Sequence, residues 1–221
     1  MVDTNLLADV ELFRALSPEA FEQVVEEARA VTLRRGDVLF DEGDVAEELF
    51  VVEKGRIAIA NRSVDGRESV LALMEPGDVF GDMGLFDQIG TGRSAQARAL
   101  EPSSVFAVPY ARLRDIFERE PELLWGVVEL LARRLRTVNE ALADSAFLDV
   151  TGRTAKRLLE LSAGADEFSL PITQEELAGL VGASRERVNK AISSFIRLGW
   201  IGQRDRRYSI TDREQLTRRS R

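Results

Sequence analysis

The stretch TQEELAGLVGASRERVNKAISSFIRLGW, Thr173 to Trp200, decides the fold of the C-terminal part of this chain. Thr173-Gln174-Glu175-Glu176 is a capping box: the Thr173 hydroxyl can cap a helix start and Glu176 can reach back to it. Leu177 and Leu180 give that short helix an apolar face, and Val181-Gly182-Ala183 makes a turn with glycine where a left-handed backbone costs least. Ser184 is the next N-cap. The second helix is predicted to run to about Leu198, with Val188, Ile192, Phe195 and Ile196 on its buried side. Arg185, Glu186, Arg187, Asn189 and Lys190 are left on the outer face, near the helix start. This is a helix-turn-helix, whose second helix presents side chains to base edges in the major groove. Arg and Lys suit the guanine acceptors O6 and N7, and Glu suits the cytosine amino group. Thr173, Gln174 and Ser184 stand at helix starts, where hydroxyls, amides and free N–H groups can hold phosphates. Just beyond, GWIGQRDRRYSIT (199–211) reads as a β-hairpin with Arg204, Arg206 and Arg207 at its tip, as in a winged helix.

Charge follows the same division. The chain of 221 residues carries a net charge of −8, which taken whole opposes nucleic-acid binding. From Val150 to Arg221, however, there are 14 Lys/Arg against 9 Asp/Glu, leaving 16 against 29 in the other 149 residues. A basic module joined to an acidic one fits a DNA-binding domain beside a sensor or dimerisation domain.

Upstream, residues 4–29 read as helical, with Ser17-Pro18-Glu19 as a helix start. From Ala30 to Pro109 short β-rich runs follow one another: VTL (31–33), VLF (38–40), LFVV (49–52), IAIA (57–60), VLALM (70–74) and SVFAV (104–108). Gly36, Gly43, Gly55, Gly66 and Gly77 punctuate them, and Asp65-Gly66 is a hairpin signal. That pattern predicts an all-β sandwich or barrel. Residues 110–145 return to helix. Leu124, Val128, Leu131, Leu135, Val138 and Leu142 recur in steps of four and three, a coiled-coil seam that predicts a homodimer. A hinge at 148–152, a helix at about 152–163 and a loop at 162–171 lead into the helix-turn-helix. The expected domains are 1–109, 110–148 and 149–221.

The chain has no cysteine and no histidine. Disulfides, cysteine-ligated iron–sulfur clusters, the commonest zinc ligands and the usual haem ligand are therefore excluded, as is the commonest general base. A metal-dependent barrel enzyme has no histidines to hold its metal. The start, MVDTNLLADVELFR, lacks a basic region before an apolar stretch, and no run of about 18 apolar residues occurs. A cytoplasmic location without membrane contact is the expectation.

In this order, GDMGLF…GRSA (81–95), AFLDVTGR (146–153) and the helix-turn-helix with SRERVNK (184–190) resemble the cyclic-AMP receptor protein/FNR family of bacterial regulators. The resemblance covers nearly the whole chain. It implies an α+β architecture: an N-terminal β-roll that binds a cyclic nucleotide, a long dimerisation helix and a C-terminal winged helix-turn-helix. It implies a homodimer acting with RNA polymerase on double-stranded DNA, where Arg185, Glu186 and Lys190 read a palindromic operator related to TGTGA half-sites. It implies no enzymatic activity and no haem, iron–sulfur or zinc cofactor.

The resemblance also places a ligand. Gly81 lets the backbone approach a phosphate, and N–H groups of Asp82, Met83 and Gly84 can form an anion nest. Arg93 would pair with a cyclic phosphate, Ser94 would add a hydroxyl donor, and Asp82 would accept from the ribose. Asp82 stands where the family usually has glutamate, and Val138 where cyclic-AMP binders often place a threonine against adenine. Valine offers no hydroxyl there, although Asn139 remains beside it. Cyclic AMP is the first-choice effector; another ligand, such as a cyclic dinucleotide, or none at all, is the alternative.

Overall fold

The structure is a computed structural model that describes residues 4–62, 68–86, 90, 92–205 and 207–221. The chain divides into two compact units, Met1–Arg67 with Leu71–Leu135, and Glu68–Val70 with Arg136–Arg221. The division falls inside one continuous helix, between the boundaries expected from sequence at 109/110 and 148/149.

The first unit opens with short helices α1 (Thr4–Asp9), α2 (Glu11–Arg14) and α3 (Pro18–Glu27). Ser17 caps α3, its hydroxyl accepting from the Ala20 N–H at 3.3 Å. The strands are β1 (Arg29–Leu33), β2 (Val38–Phe40), β3 (Glu48–Lys54), β4 (Ile57–Arg62), β5 (Glu68–Met74), β6 (Val79–Phe80), β7 (Gln96–Ala99) and β8 (Ser103–Pro109). They form two sheets, ordered β1-β8-β3-β6 and β2-β7-β4-β5. Every predicted run lies in a strand. The hairpin signal Asp65-Gly66 lies outside the described residues.

The unbroken apolar runs of β3 and β8 have a simple cause. Successive side chains of a strand point to opposite faces, and these two strands are buried on both. Phe50, Val52, Val105 and Ala107 join a core containing Leu33, Ile57, Phe80 and Ala97. Leu49, Val51, Phe106 and Val108 join a second core with Leu7, Phe13, Val24, Leu113 and Ile116 from the helices.

After β8 come α4 (Tyr110–Arg119), a 3-10 turn at Pro121–Leu123 and α5 (Leu124–Phe147). The helical stretch 110–145 is thus divided in two: Pro121 cannot donate an interior helix bond, and a new start follows it. On α5 the predicted seam is exposed throughout, from Leu124 to Leu142.

The second unit contains α6 (Val150–Leu161), β9 (Glu167–Ser169), α7 (Gln174–Val181), α8 (Arg185–Arg197), β10 (Ile201–Arg204), β11 (Arg207–Ile210) and α9 (Arg213–Arg219). α6 starts two residues before its predicted position because Asp149 caps it, accepting from the Gly152 N–H at 2.8 Å. The predicted loop at 162–171 contains β9, which pairs with β11 and completes a sheet ordered β10-β11-β9. Three residues, two of them polar, gave no strand signal of their own; the pairing partner supplies it.

Candidate functional site

In the first unit, Gly81, Met83, Gly84, Arg93 and Ser94 line one cavity of about 100 Å³, together with Phe40, Phe80 and Arg134. Gly81 has φ +72°, and a Cβ there would lie 2.8 Å from an Arg93 guanidinium nitrogen. Gly84 passes so close to Ala46 and Tyr110 that a Cβ would meet them at 2.6 and 3.0 Å. Gly84 is therefore required by approach, and Gly81 by its left-handed backbone. Met83–Leu85 forms a 3-10 turn in which the Leu85 N–H donates to the Asp82 carbonyl at 3.0 Å. The N–H groups of Met83 and Gly84 precede that first bond, as helix-start donors do.

Arg93 is 7% exposed. One of its terminal nitrogens donates to the Gly81 carbonyl and to the Tyr110 hydroxyl, each at 3.0 Å. Its guanidinium lies 4.2 Å from the centroid of the Phe40 ring, a cation–π contact. Its Nε is buried and, among the described residues, has no partner. The backbone on either side is held by the opposite turn: Arg93 N–H donates to the Asp44 carbonyl and Gly43 N–H to the Arg93 carbonyl, both at 2.8 Å. Burial pushes the Tyr110 phenol above its usual value, while the Arg93 charge and hydrogen bond oppose that.

Asp82 takes a different place from the one expected. It is buried and absent from the cavity wall; its carboxylate is paired with Arg134 of α5. A buried carboxylate needs a partner, and Arg134 is the cation within reach. Arg134 also donates to the Val79 carbonyl. The Ser94 hydroxyl faces the Met83 sulfur at 3.4 Å. Val138 and Asn139 are exposed on the turns of α5 that belong to the second unit.

Sequence reasoning missed Tyr110, Phe40 and Arg134. Tyr110 comes to Arg93 from the start of α4 and Phe40 from the end of β2, with no local signal. Arg134 had one: it lies four residues before Val138, on the same helix face.

In the second unit the capping box is present in both directions. Thr173 N–H donates to a Glu176 carboxylate oxygen at 2.6 Å, and Glu176 N–H to the Thr173 hydroxyl at 3.2 Å. Gly182 is left-handed at φ +66°, closing α7 with bonds back to Ala178 and Gly179. Ser184 caps α8, accepting from the Arg187 N–H at 3.4 Å. Val188, Ala191, Ile192 and Phe195 form the buried stripe of α8.

Two expectations for α8 are corrected. Ile196 is 40% exposed, because Ala191 closes the stripe on the core side. Asn189 is half-buried, not on the outer face, and its Oδ1 is buried without a partner among the described residues. It follows Val188, and the stripe at 188, 191, 192 and 195 draws it partly inward.

Arg185, Glu186, Arg187 and Lys190 are exposed. Arg187, Lys190 and Arg197 share a groove with Val150 and Thr151 at the start of α6. Gln174 is half-buried at the start of α7 and lines a cleft with Tyr208. Arg204 and Arg207 are exposed at the end of the β10–β11 hairpin; Arg206 lies outside the described residues.

Residues 30–120 match the model of the cyclic nucleotide-binding domain, and residues 152–219 that of the Crp-like helix-turn-helix domain. A CRP-like cAMP-activated global transcriptional regulator of Mycobacterium tuberculosis is 37% identical over 98% of this chain and 99% of its own length. This chain belongs to the CRP/FNR family. It is a DNA-binding transcription regulator with a cyclic nucleotide-binding domain, and not an enzyme. The cAMP-activated global transcriptional regulator CRP of Salmonella typhimurium is 35% identical over 70% of this chain and 76% of its own. Among solved structures, the c-di-GMP responsive global regulator CLP of Xanthomonas campestris superposes with a TM-score of 0.76 at 26% identity, covering 88% of this chain and 99% of that one. FixK2 of Bradyrhizobium japonicum, at TM-score 0.78 and 23% identity over 88% of this chain and 98% of its own, shares the fold. Among the described residues no helix is long and apolar enough to cross a membrane.

Proposed function

We propose that this regulator is a homodimer that reads a palindromic operator with paired α8 helices and is gated by a cyclic mononucleotide, cyclic AMP first. The observation that carries the gating is Arg93: a buried guanidinium beside Gly81 with an unpartnered Nε, in the cavity where the family's nucleotide domain is matched. An anionic phosphate would take over the bonds that Gly81 and Tyr110 now accept or share, with Ser94 as a further donor. Ligand binding would then act by favouring one of two dimer arrangements.

Dimerisation is supported by α5. Val128, Leu131, Leu135, Val138 and Leu142 are 43–68% exposed at heptad spacing, an apolar stripe that a second copy of the same helix covers. In that dimer Arg185, Glu186 and Lys190 meet base edges of TGTGA-like half-sites. Arg187, Arg204, Thr173, Gln174 and Ser184 hold phosphates, with Arg206 assigned from sequence alone, and RNA polymerase is the protein partner.

Calorimetry with cyclic AMP, cyclic GMP and cyclic di-GMP tests the gating. A saturable heat with cyclic AMP and tighter binding to the operator in its presence is the expected result; no heat from either mononucleotide at high micromolar concentration overturns it. One observation favours a second reading, with a different effector or none. The cavity of about 100 Å³ is smaller than the ~300 Å³ at which ligand pockets begin, and Asp82 is held by Arg134. That reading expects operator binding by the ligand-free protein, or a response to the dinucleotide alone.

A further inference from the structure

Between the start of α7 and the wing lies a cleft lined by Thr173, Gln174, Arg185, Gln203, Asp205 and Tyr208. Its floor is Tyr208, 3% exposed in the middle of β11. Tyr208 is opposite Gln203 on β10 and Phe168 on β9. Its ring stacks on Phe168 with centroids 5.8 Å apart, which fixes the ring plane. A tyrosine in this position needs a partner for its hydroxyl. The side-chain amides of Gln174 and Gln203 line the same cleft and bear on that hydroxyl: burial raises its pKa and they draw it down. Gln174 belongs to the helix-turn-helix and Gln203 to the wing, so one buried hydroxyl joins the two parts of the reading head. Gln203 also donates to the Asp205 carbonyl at 3.3 Å, within the left-handed residue at the wing's turn.

A glutamine on its own has several rotamers, and fixing them costs free energy on binding. Tying both amides to a rigid phenol removes that cost in advance. The cleft also holds Arg185, whose charge favours a DNA backbone, while Glu175 and Asp205 oppose it. A neutral, well-aimed amide is the group that can approach a phosphate there without a cation of its own.

We propose that Tyr208 is a positioning residue for DNA, its hydroxyl aiming the Gln174 carboxamide from the cleft at a backbone phosphate. This rests on the reading of α8 as the base-contacting helix. Tyr208→Phe keeps the stacked ring and deletes only the hydroxyl. With full-length protein and a duplex of inverted TGTGA half-sites, with and without cyclic AMP, Tyr208→Phe and Gln174→Ala are each expected to weaken binding about threefold to tenfold. The double variant is expected to be no weaker than the worse single. The slope of affinity against salt should stay that of the parent, since a neutral amide meeting a phosphate releases no counterion. The melting temperature of Tyr208→Phe should stay within about 2 °C of the parent. Additive losses in Tyr208→Phe with Gln174→Ala overturn the proposal, as does unchanged affinity in Tyr208→Phe. A loss that is instead non-additive with Arg204→Ala also overturns it, since that would mark Tyr208 as a support for the wing alone. Arg185→Ala is the control: if it too binds normally, the reading of α8 has failed rather than the role of Tyr208.

Discussion

Arg93 and Arg185 both stand where the proposed function puts an anion, in opposite surroundings. Arg93 is 7% exposed, stacked on Phe40 and bonded to Gly81 and Tyr110. Arg185 is exposed at the first turn of α8 and, among the described residues, its side chain has no ion-pair partner. A buried guanidinium must be satisfied by its own fold, so a ligand at Arg93 exchanges one set of bonds for another. Its net gain is the difference between them. An exposed guanidinium gives up only water and counterions, and its binding is correspondingly sensitive to salt. The sensor can thus be selective and conformationally coupled, while the reading head is permanently ready and depends on geometry for control.

The largest effect expected from breaking this contrast is at the sensor. Arg93→Ala should lower cyclic-nucleotide affinity by about 100-fold or more, since hydrogen bonds to a charged group are worth about 1.5–3 kcal/mol each. Calorimetry measures it, and undiminished affinity would remove Arg93 from the site. Arg185→Ala comes next: a cost of about 1–3 kcal/mol on the operator, with discrimination relaxed at one base pair. Anisotropy on operator and random duplexes separates the two effects; equal losses on both would contradict base readout.

The smallest effect sharpens the contrast at the entrance to the DNA-reading unit. The Asp149 carboxyl is held below the usual carboxylate range, first by the Gly152 N–H and, against a desolvation penalty, by Arg219. Because its folded value is depressed, its stabilisation is full above about pH 4 and is lost as pH falls through that lower value. Asp149→Asn should therefore lower the melting temperature at neutral pH and converge with the parent in acid. The cost at neutral pH should be at most about 1 kcal/mol, since the side chain is well exposed.

Much of this molecule is legible in its sequence, and the exceptions share a cause. The capping box, Gly182 and Ser184 are local patterns and take their predicted forms, and the apolar repeat from Leu124 to Leu142 lies exposed on one helix. β7, QARA, has polar and small residues because its neighbours β2 and β4 define it by pairing. β6 is two residues long, β9 three, and neither has a period to read. The site divides in the same way. Gly81, Arg93 and Ser94 are contiguous enough to announce themselves. Tyr110, Phe40 and the Asp82–Arg134 pair depend on chain segments meeting across the fold, and Tyr208 depends on β11 pairing with both β10 and β9.

The backbone bonds that flank Arg93 have one more consequence. Arg93 takes its position from the turn at Gly43 and Asp44, not from the residues that precede it. Gly92 is pressed so closely on that turn that a Cβ would lie 2.8 Å from the Gly43 carbonyl oxygen. Arg93 is therefore anchored to the turn that follows β2, the neighbour of β7 in the same sheet. A change in the turn at Gly43 and Asp44 would displace Arg93 while leaving every residue from Gly81 to Phe86 as it is.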